Sequence, residues 1–154
     1  MARAYVGLGA NLGDRERTLR LAIERMGEIA GVAVVAESSL RETDPVGVVD
    51  QPRFLNGAVE LETTLPPREL LAALIEVERG LGRIRSDGER WGPRTLDLDL
   101  LLYDNLVLDE PGLVVPHTRL IERRFALEPL ADLDPDLEVA GHGRVSTLLA
   151  ELED

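Results

Sequence analysis

TLDLDLLLY, Thr95–Tyr103, decides how this chain is read. Successive side chains of a strand point to opposite faces, so Leu96, Leu98, Leu100 and Leu102 line one face and Asp97 and Asp99 the other. A rise of ~3.3 Å per residue puts the two aspartate Cα atoms ~6.5–7 Å apart. At that spacing two carboxylates can lean onto one cation, or onto two cations ~3.5–4 Å apart. Taken alone, DLD reads as the wet face of an antiparallel sheet, where aspartates are tolerated. Two observations weigh against that reading. Aspartate is a poor strand former, and the strand leaves directly from an arginine-rich loop, Gly82–Arg94.

Working outward, Ala2–Gly9 alternates as a first strand, and Asp14 can cap a helix whose Leu19, Ile23, Met26 and Ala30 recur at helical spacing to about Gly31. Val32–Leu40 reads as a second strand, Arg41–Pro52 as a polar loop and Phe54–Thr64 as a third strand. Pro66-Pro67 opens a second helix with Leu70, Leu74, Val77 and Leu81 as its buried stripe and Gly82 as its stop. Short extended pieces follow at Val107–Leu108 and Leu113–Val115, then helices around Arg119–Leu130 and Val145–Glu153. The order predicts an α+β fold, a ferredoxin-like βαββαβ core with two helices on one face of an antiparallel sheet, plus a C-terminal helical extension. The other face is left for loops and ligand. No linker or repeat breaks the chain, so one domain over residues 1–154 is expected.

Composition narrows the chemistry. There are no cysteines and two histidines, which removes thiolate sites and multi-histidine zinc. A metal here has to be a hard ion on carboxylates, such as magnesium. A net charge of −12 speaks against a nucleic-acid or anionic-membrane partner, and no apolar run reaches the ~20 residues that span a bilayer. A cytoplasmic protein is expected. All 17 basic residues are arginine, and Arg79, Arg83, Arg85, Arg90 and Arg94 cluster, which suits a small anion. Arg79 by itself reads as a surface charge.

RWGPRTLDLD, Arg90–Asp99, resembles the signature of the 6-hydroxymethyl-7,8-dihydropterin pyrophosphokinases of folate biosynthesis. GANLGD (Gly9–Asp14), DQPRFLNGAVELET (Asp50–Thr63), GRIR (Gly82–Arg85) and VPH (Val115–His117) extend the likeness, in order, across nearly the whole chain. The resemblance implies magnesium-dependent transfer of pyrophosphate from ATP to the pterin hydroxymethyl group, releasing AMP. It implies that Asp97 and Asp99 hold two Mg2+ ions, and that Arg83 and Arg94 act on the phosphates. Glu78, Arg85, Arg90, Trp91, Leu100, His117 and Arg123 fall to ATP. Thr43, Asp44, Val46, Phe54, Asn56, Trp91 and Phe125 fall to the pterin, with both phenylalanines stacking on the ring. The loops are expected to close over both substrates, and a monomer is expected. Phe54 stands where tyrosine is common, Thr118 replaces a frequent tyrosine, and Gly112 and Val114 occupy positions that can carry polar ATP contacts. Asp44 replaces a proline seen in some members.

Two other readings compete. GLGANLG (Gly7–Gly13) after a strand is similar to a dinucleotide fingerprint, but its third glycine is one residue late, and a turn plus helix cap fits better. A non-catalytic ferredoxin-like sensor is the second. It would have no need of paired aspartates beside paired arginines.

Overall fold

The computed structural model describes residues 1–11, 13–43, 53–82 and 96–152. In chain order these form β1 (Ala2–Ala10), α1 (Arg15–Gly27), β2 (Val32–Glu37), β3 (Arg41–Thr43), β4 (Phe54–Thr63), α2 (Pro67–Gly82) and β5 (Asp97–Tyr103). A hairpin of β6 (Leu108–Glu110) and β7 (Leu113–Val115) follows, then a 3-10 turn (Leu120–Glu122) and α3 (Arg124–Leu133). A small hairpin of β8 (Glu138–Val139) and β9 (Gly143–Arg144) leads into α4 (Val145–Glu151). The architecture is mixed α/β. A five-stranded sheet runs β2-β4-β1-β5, with β3 also pairing β4. Each of these pairings is antiparallel.

Periodicity explains the first layer. Leu19, Ala22, Ile23 and Met26 of α1 and Leu70, Leu74, Val77 and Leu81 of α2 are buried. They pack on Ala4, Val6 and Leu8 of β1, Val59 and Leu61 of β4, and Leu98 and Leu100 of β5. Each fully buried leucine contributes about 1.5–3 kcal/mol relative to exposure. The Asp14 side chain caps α1 by accepting the Arg17 N–H at 3.1 Å. The helix stops at Gly27, short of Gly31, so Ala30 lies beyond its end. Gly31 turns the chain at φ +86°, where a Cβ would come within 2.7 Å of Thr64 Oγ1, so glycine is required.

Three local expectations are corrected. Leu102 does not share a face with Leu98 and Leu100. The register against β1 shifts between Tyr5↔Leu102 and Val6↔Leu100, which makes Leu101 an extra, bulged residue. Leu101 and Leu102 therefore join the cluster on the opposite face, with Tyr5 and Ala58. Arg41–Thr43, read as loop, is a short strand whose Thr43 pairs with Phe54. Finally, the second sheet face is not left wholly to loops and ligand. Leu127 and Leu130 of α3 and Val145 and Leu148 of α4 cover the half of it around Tyr5. Among the described residues, nothing covers the rest of that face.

Candidate active site

On the half that the described residues leave uncovered, β1 puts glycine at two successive positions facing outward. Gly9 lies between Asn56 on β4 and Asp97 on β5, and Gly7 between Ala58 and Asp99. With no side chains in the middle strand, the flanking side chains border a cleft of about 680 Å³. A Cβ on Gly9 would sit 2.8 Å from Asn56 Nδ2, and one on Gly7 3.2 Å from Leu101 Cδ1. Glycine inside a strand here marks a close approach. Gly13, at φ +65°, belongs to the turn before the Asp14 cap, as the turn-and-cap reading of GLGANLG expects.

The floor and walls gather many of the residues singled out from sequence. Asp97 and Asp99 project into the cleft from β5, and Phe54 and Asn56 line it from β4. Asn56 is buried, and its Oδ1 accepts the Thr43 hydroxyl, which fixes the amide in plane. Phe125 enters from α3, with the Arg123 guanidinium 5.5 Å from its ring centroid. His117 borders Asp99, with Nε2 3.7 Å from Asp99 Oδ1. Its backbone N–H donates to the Leu101 carbonyl at 3.0 Å, and its Nδ1 accepts the Arg119 N–H at 3.4 Å. Nε2 thus faces the carboxylate side of the cleft.

Two residues stand elsewhere. Glu78, on α2, is not among the described cleft-lining residues; its carboxylate accepts the Leu98 N–H at 2.7 Å, supporting β5 from outside. The Leu100 side chain is buried under α1 and α2. Asp44, Val46, Arg83, Arg85, Arg90, Trp91 and Arg94 lie outside the described residues, as does nearly all of the two expected closing loops. Arg79 is an exposed residue paired with Glu76 at 3.0 Å. Sequence reading passed over Gly7 and Gly9 as clearing residues, and over Arg119, Glu122 and Glu128 on the rim. The strand-interior glycines were the available signal for the first pair. For the rim charges no local pattern existed.

For a metal, the donors that the described residues place side by side in the cleft are the two β5 carboxylates. Among the described residues no group of three His, Cys, Asp or Glu side chains is placed to hold an ion. Two hard oxygen donors at an open cleft suit a Mg2+ ion that completes its shell with water and phosphate oxygens.

Comparison with known proteins agrees with this geometry. A model of the family described as 7,8-dihydro-6-hydroxymethylpterin-pyrophosphokinase matches residues 5–135. The 2-amino-4-hydroxy-6-hydroxymethyldihydropteridine pyrophosphokinase of Bacillus subtilis is 49% identical over 135 residues, 88% of this chain and 80% of the relative. The Methylorubrum extorquens protein of the same name is 43% identical over 99% of this chain and 95% of its own. That of Pseudomonas aeruginosa is 45% identical over 96% and 90%. Among solved structures, an HPPK-DHPS in complex with substrates superposes with a TM-score of 0.77 at 11% identity, covering 97% of this chain and 43% of that one. Wild-type Plasmodium falciparum HPPK-DHPS gives 0.73 at 14% identity, covering 97% and 41%. These two likenesses concern the fold, and the chain spans under half the length of either structure. With 131 of its 154 residues matched, the chain belongs to the 7,8-dihydro-6-hydroxymethylpterin-pyrophosphokinase family.

Proposed function

We propose that this protein transfers pyrophosphate from ATP to 6-hydroxymethyl-7,8-dihydropterin, giving AMP and the pterin diphosphate, as a step of folate biosynthesis. The observation that carries the reading is the carboxylate pair Asp97 and Asp99 beside the Gly7–Gly9 clearing, in a chain 43–49% identical to relatives named for this reaction. The hydroxymethyl oxygen attacks the β-phosphorus, its O–H proton passes to water, and the bond from that phosphorus to the AMP oxygen breaks. Bound Mg2+, two ions in this proposal, would offset triphosphate charge.

The chain's own residues do the positioning. Phe54 and Phe125 hold the flat ring between them, and Asn56, oriented by Thr43, reads its polar edge. His117 presents an N–H to the phosphates beside Asp99, and Arg123 adds charge next to Phe125. Asp97 and Asp99 would hold the Mg2+. We assign Arg83 and Arg94 to the transferring phosphates, Arg85, Arg90 and Trp91 to ATP, Asp44 and Val46 to pterin backbone contacts, and Leu100 to a backbone contact with adenine. Glu78 acts indirectly, through β5.

The antiparallel order β2-β4-β1-β5 supports reading the core as the ferredoxin-like plan within one domain over residues 1–154. A cytoplasmic monomer with ATP and the pterin as its partners, and no nucleic acid, completes the proposal. Among the described residues no helix is long and apolar enough to cross a membrane.

Product analysis tests the reaction. Incubation with ATP, Mg2+ and the pterin is expected to yield AMP one-for-one with pterin diphosphate, and EDTA is expected to abolish it. ADP in place of AMP would overturn attack at the β-phosphorus. No pterin-dependent turnover would favour the ligand-binding sensor.

A further inference from the structure

We propose that Arg41 is a positioning residue for the flat-ring substrate, setting how far the α3 turn bearing Phe125 stands from Phe54 on β4. The inference rests on the pterin reading above. Arg41 pairs with Asn56 across β3–β4, so its side chain leaves the sheet on the cleft face, towards α3. Its guanidinium reaches two carboxylates of that helix, Asp132 at 2.5 Å and Glu128 at 3.4 Å. The Ser39 hydroxyl donates to the second Asp132 oxygen at 2.8 Å, so the clamp grips from two points on the strand side.

The helix needs such a grip where it occurs. Phe125, Glu128 and Asp132 are spaced i, i+3 and i+7, which puts the clamped carboxylates and the ring on one stripe of α3. Pro129 lies inside that helix and cannot donate the i→i−4 bond that would otherwise close on the Phe125 carbonyl. The turn carrying Phe125 is therefore less strongly held from within, and its position relies more on contacts with its surroundings. Leu127 and Leu130 bury the helix against the sheet. Apolar packing is non-directional, however, whereas a guanidinium held by two carboxylates resists sliding. A planar ring between two phenylalanines tolerates little change in the gap that receives it.

Steady-state kinetics on the full chain, varying each substrate in turn, test this. Arg41→Ala is expected to raise the pterin KM roughly 5- to 20-fold, with kcat and the ATP KM changed less than about twofold. Arg41→Lys should fall between, since an ammonium does not span both carboxylates as the fork does. Asp132→Asn should raise the same KM, and its effect should not add to that of Arg41→Ala. Arg68→Ala, which removes an exposed pair with Glu110 outside the cleft, is the control for losing any surface charge. An unchanged pterin KM in Arg41→Ala overturns the inference, and so does a parallel shift of both KM values with kcat. If Arg41→Ala does not fold, Arg41→Lys and Asp132→Asn carry the same test. Wild-type protein that consumes no pterin overturns the functional reading itself, a result separable from any variant's.

Discussion

Asp97 and Asp99 occupy strand positions that their intrinsic preference disfavours, and each faces a glycine across the ladder to β1. A pair set in this way should matter to turnover more than to folding. Asp97→Asn and Asp99→Asn keep the shape and remove the charge, and each is expected to lower kcat by at least ~100-fold, a magnitude ordinary for losing one transition-state charge contact. The urea midpoint should move little, because Asp99 is 44% exposed and carries no part of the core. AMP release and urea denaturation, measured side by side, check both halves; full activity in either variant would sink the metal-ligand role. Gly9 makes a different demand. Gly9→Ala places a methyl 2.8 Å from Asn56 Nδ2, so the amide must swing away from the Thr43 hydroxyl. The pterin KM is expected to rise about tenfold while the ATP KM holds, which substrate-by-substrate kinetics would reveal. Equal shifts for both substrates would mean that the strand, not the amide, had moved.

At the scale of elements, β5 is held on both sides. β1 pairs it on one edge, and the Glu78 carboxylate from α2 takes the Leu98 N–H at the other. Glu78→Ala leaves that N–H without this acceptor beside the two aspartates, which should cost about 1–2 kcal/mol, with a smaller loss for Glu78→Gln. Urea denaturation measures the cost; equal losses for the two variants would show that the acceptor is not what counts. Helical and alternating patterns made α1, α2, β1, β4 and β5 legible, because each buries a face fixed by its own period. β3 and the β5 bulge were not legible. Arg41, Glu42 and Thr43 form a strand only because β4 offers an edge, and Leu101 bulges only because β1 sets the register. Glu42 also gains partners that no local pattern announces. The Arg15 guanidinium beside it, with Arg53 adding a smaller part, holds its carboxyl below the usual range.

For the molecule as a whole, α1 and α2 pack on one face of the sheet and α3 and α4 on part of the other, and the two tyrosines lie in those seams. Burial first, then the charge of Glu60, pushes the Tyr5 phenol up to about 12, and burial with Asp104 nearby raises that of Tyr103. Their folded-state values thus exceed the unfolded one. The stability they contribute is complete below pH ~10 and is lost as pH climbs from there towards the folded value. Absorbance titration at 295 nm should show native tyrosines ionising later than in the guanidinium-unfolded chain, and stability to urea should fall across that interval. Coincident titrations would place both rings in water.

Patterns local to the chain determined the two main helices, the core strands and the placing of Asp97 and Asp99 on the face away from Leu96, Leu98 and Leu100. They did so because side-chain period and turn chemistry act over a few residues. The family likeness rested on the same short runs. What only the tertiary structure decided is how residues far apart in the chain share one cleft. Gly9 clears it between Asn56 and Asp97, Gly7 clears it between Ala58 and Asp99, and His117 reaches Asp99 through a backbone bond to the bulged Leu101. Arg41 meets Asp132 across 91 residues. Pairing register and helix docking set those meetings, and both depend on the free energy of the whole packed core, which no short stretch of sequence contains.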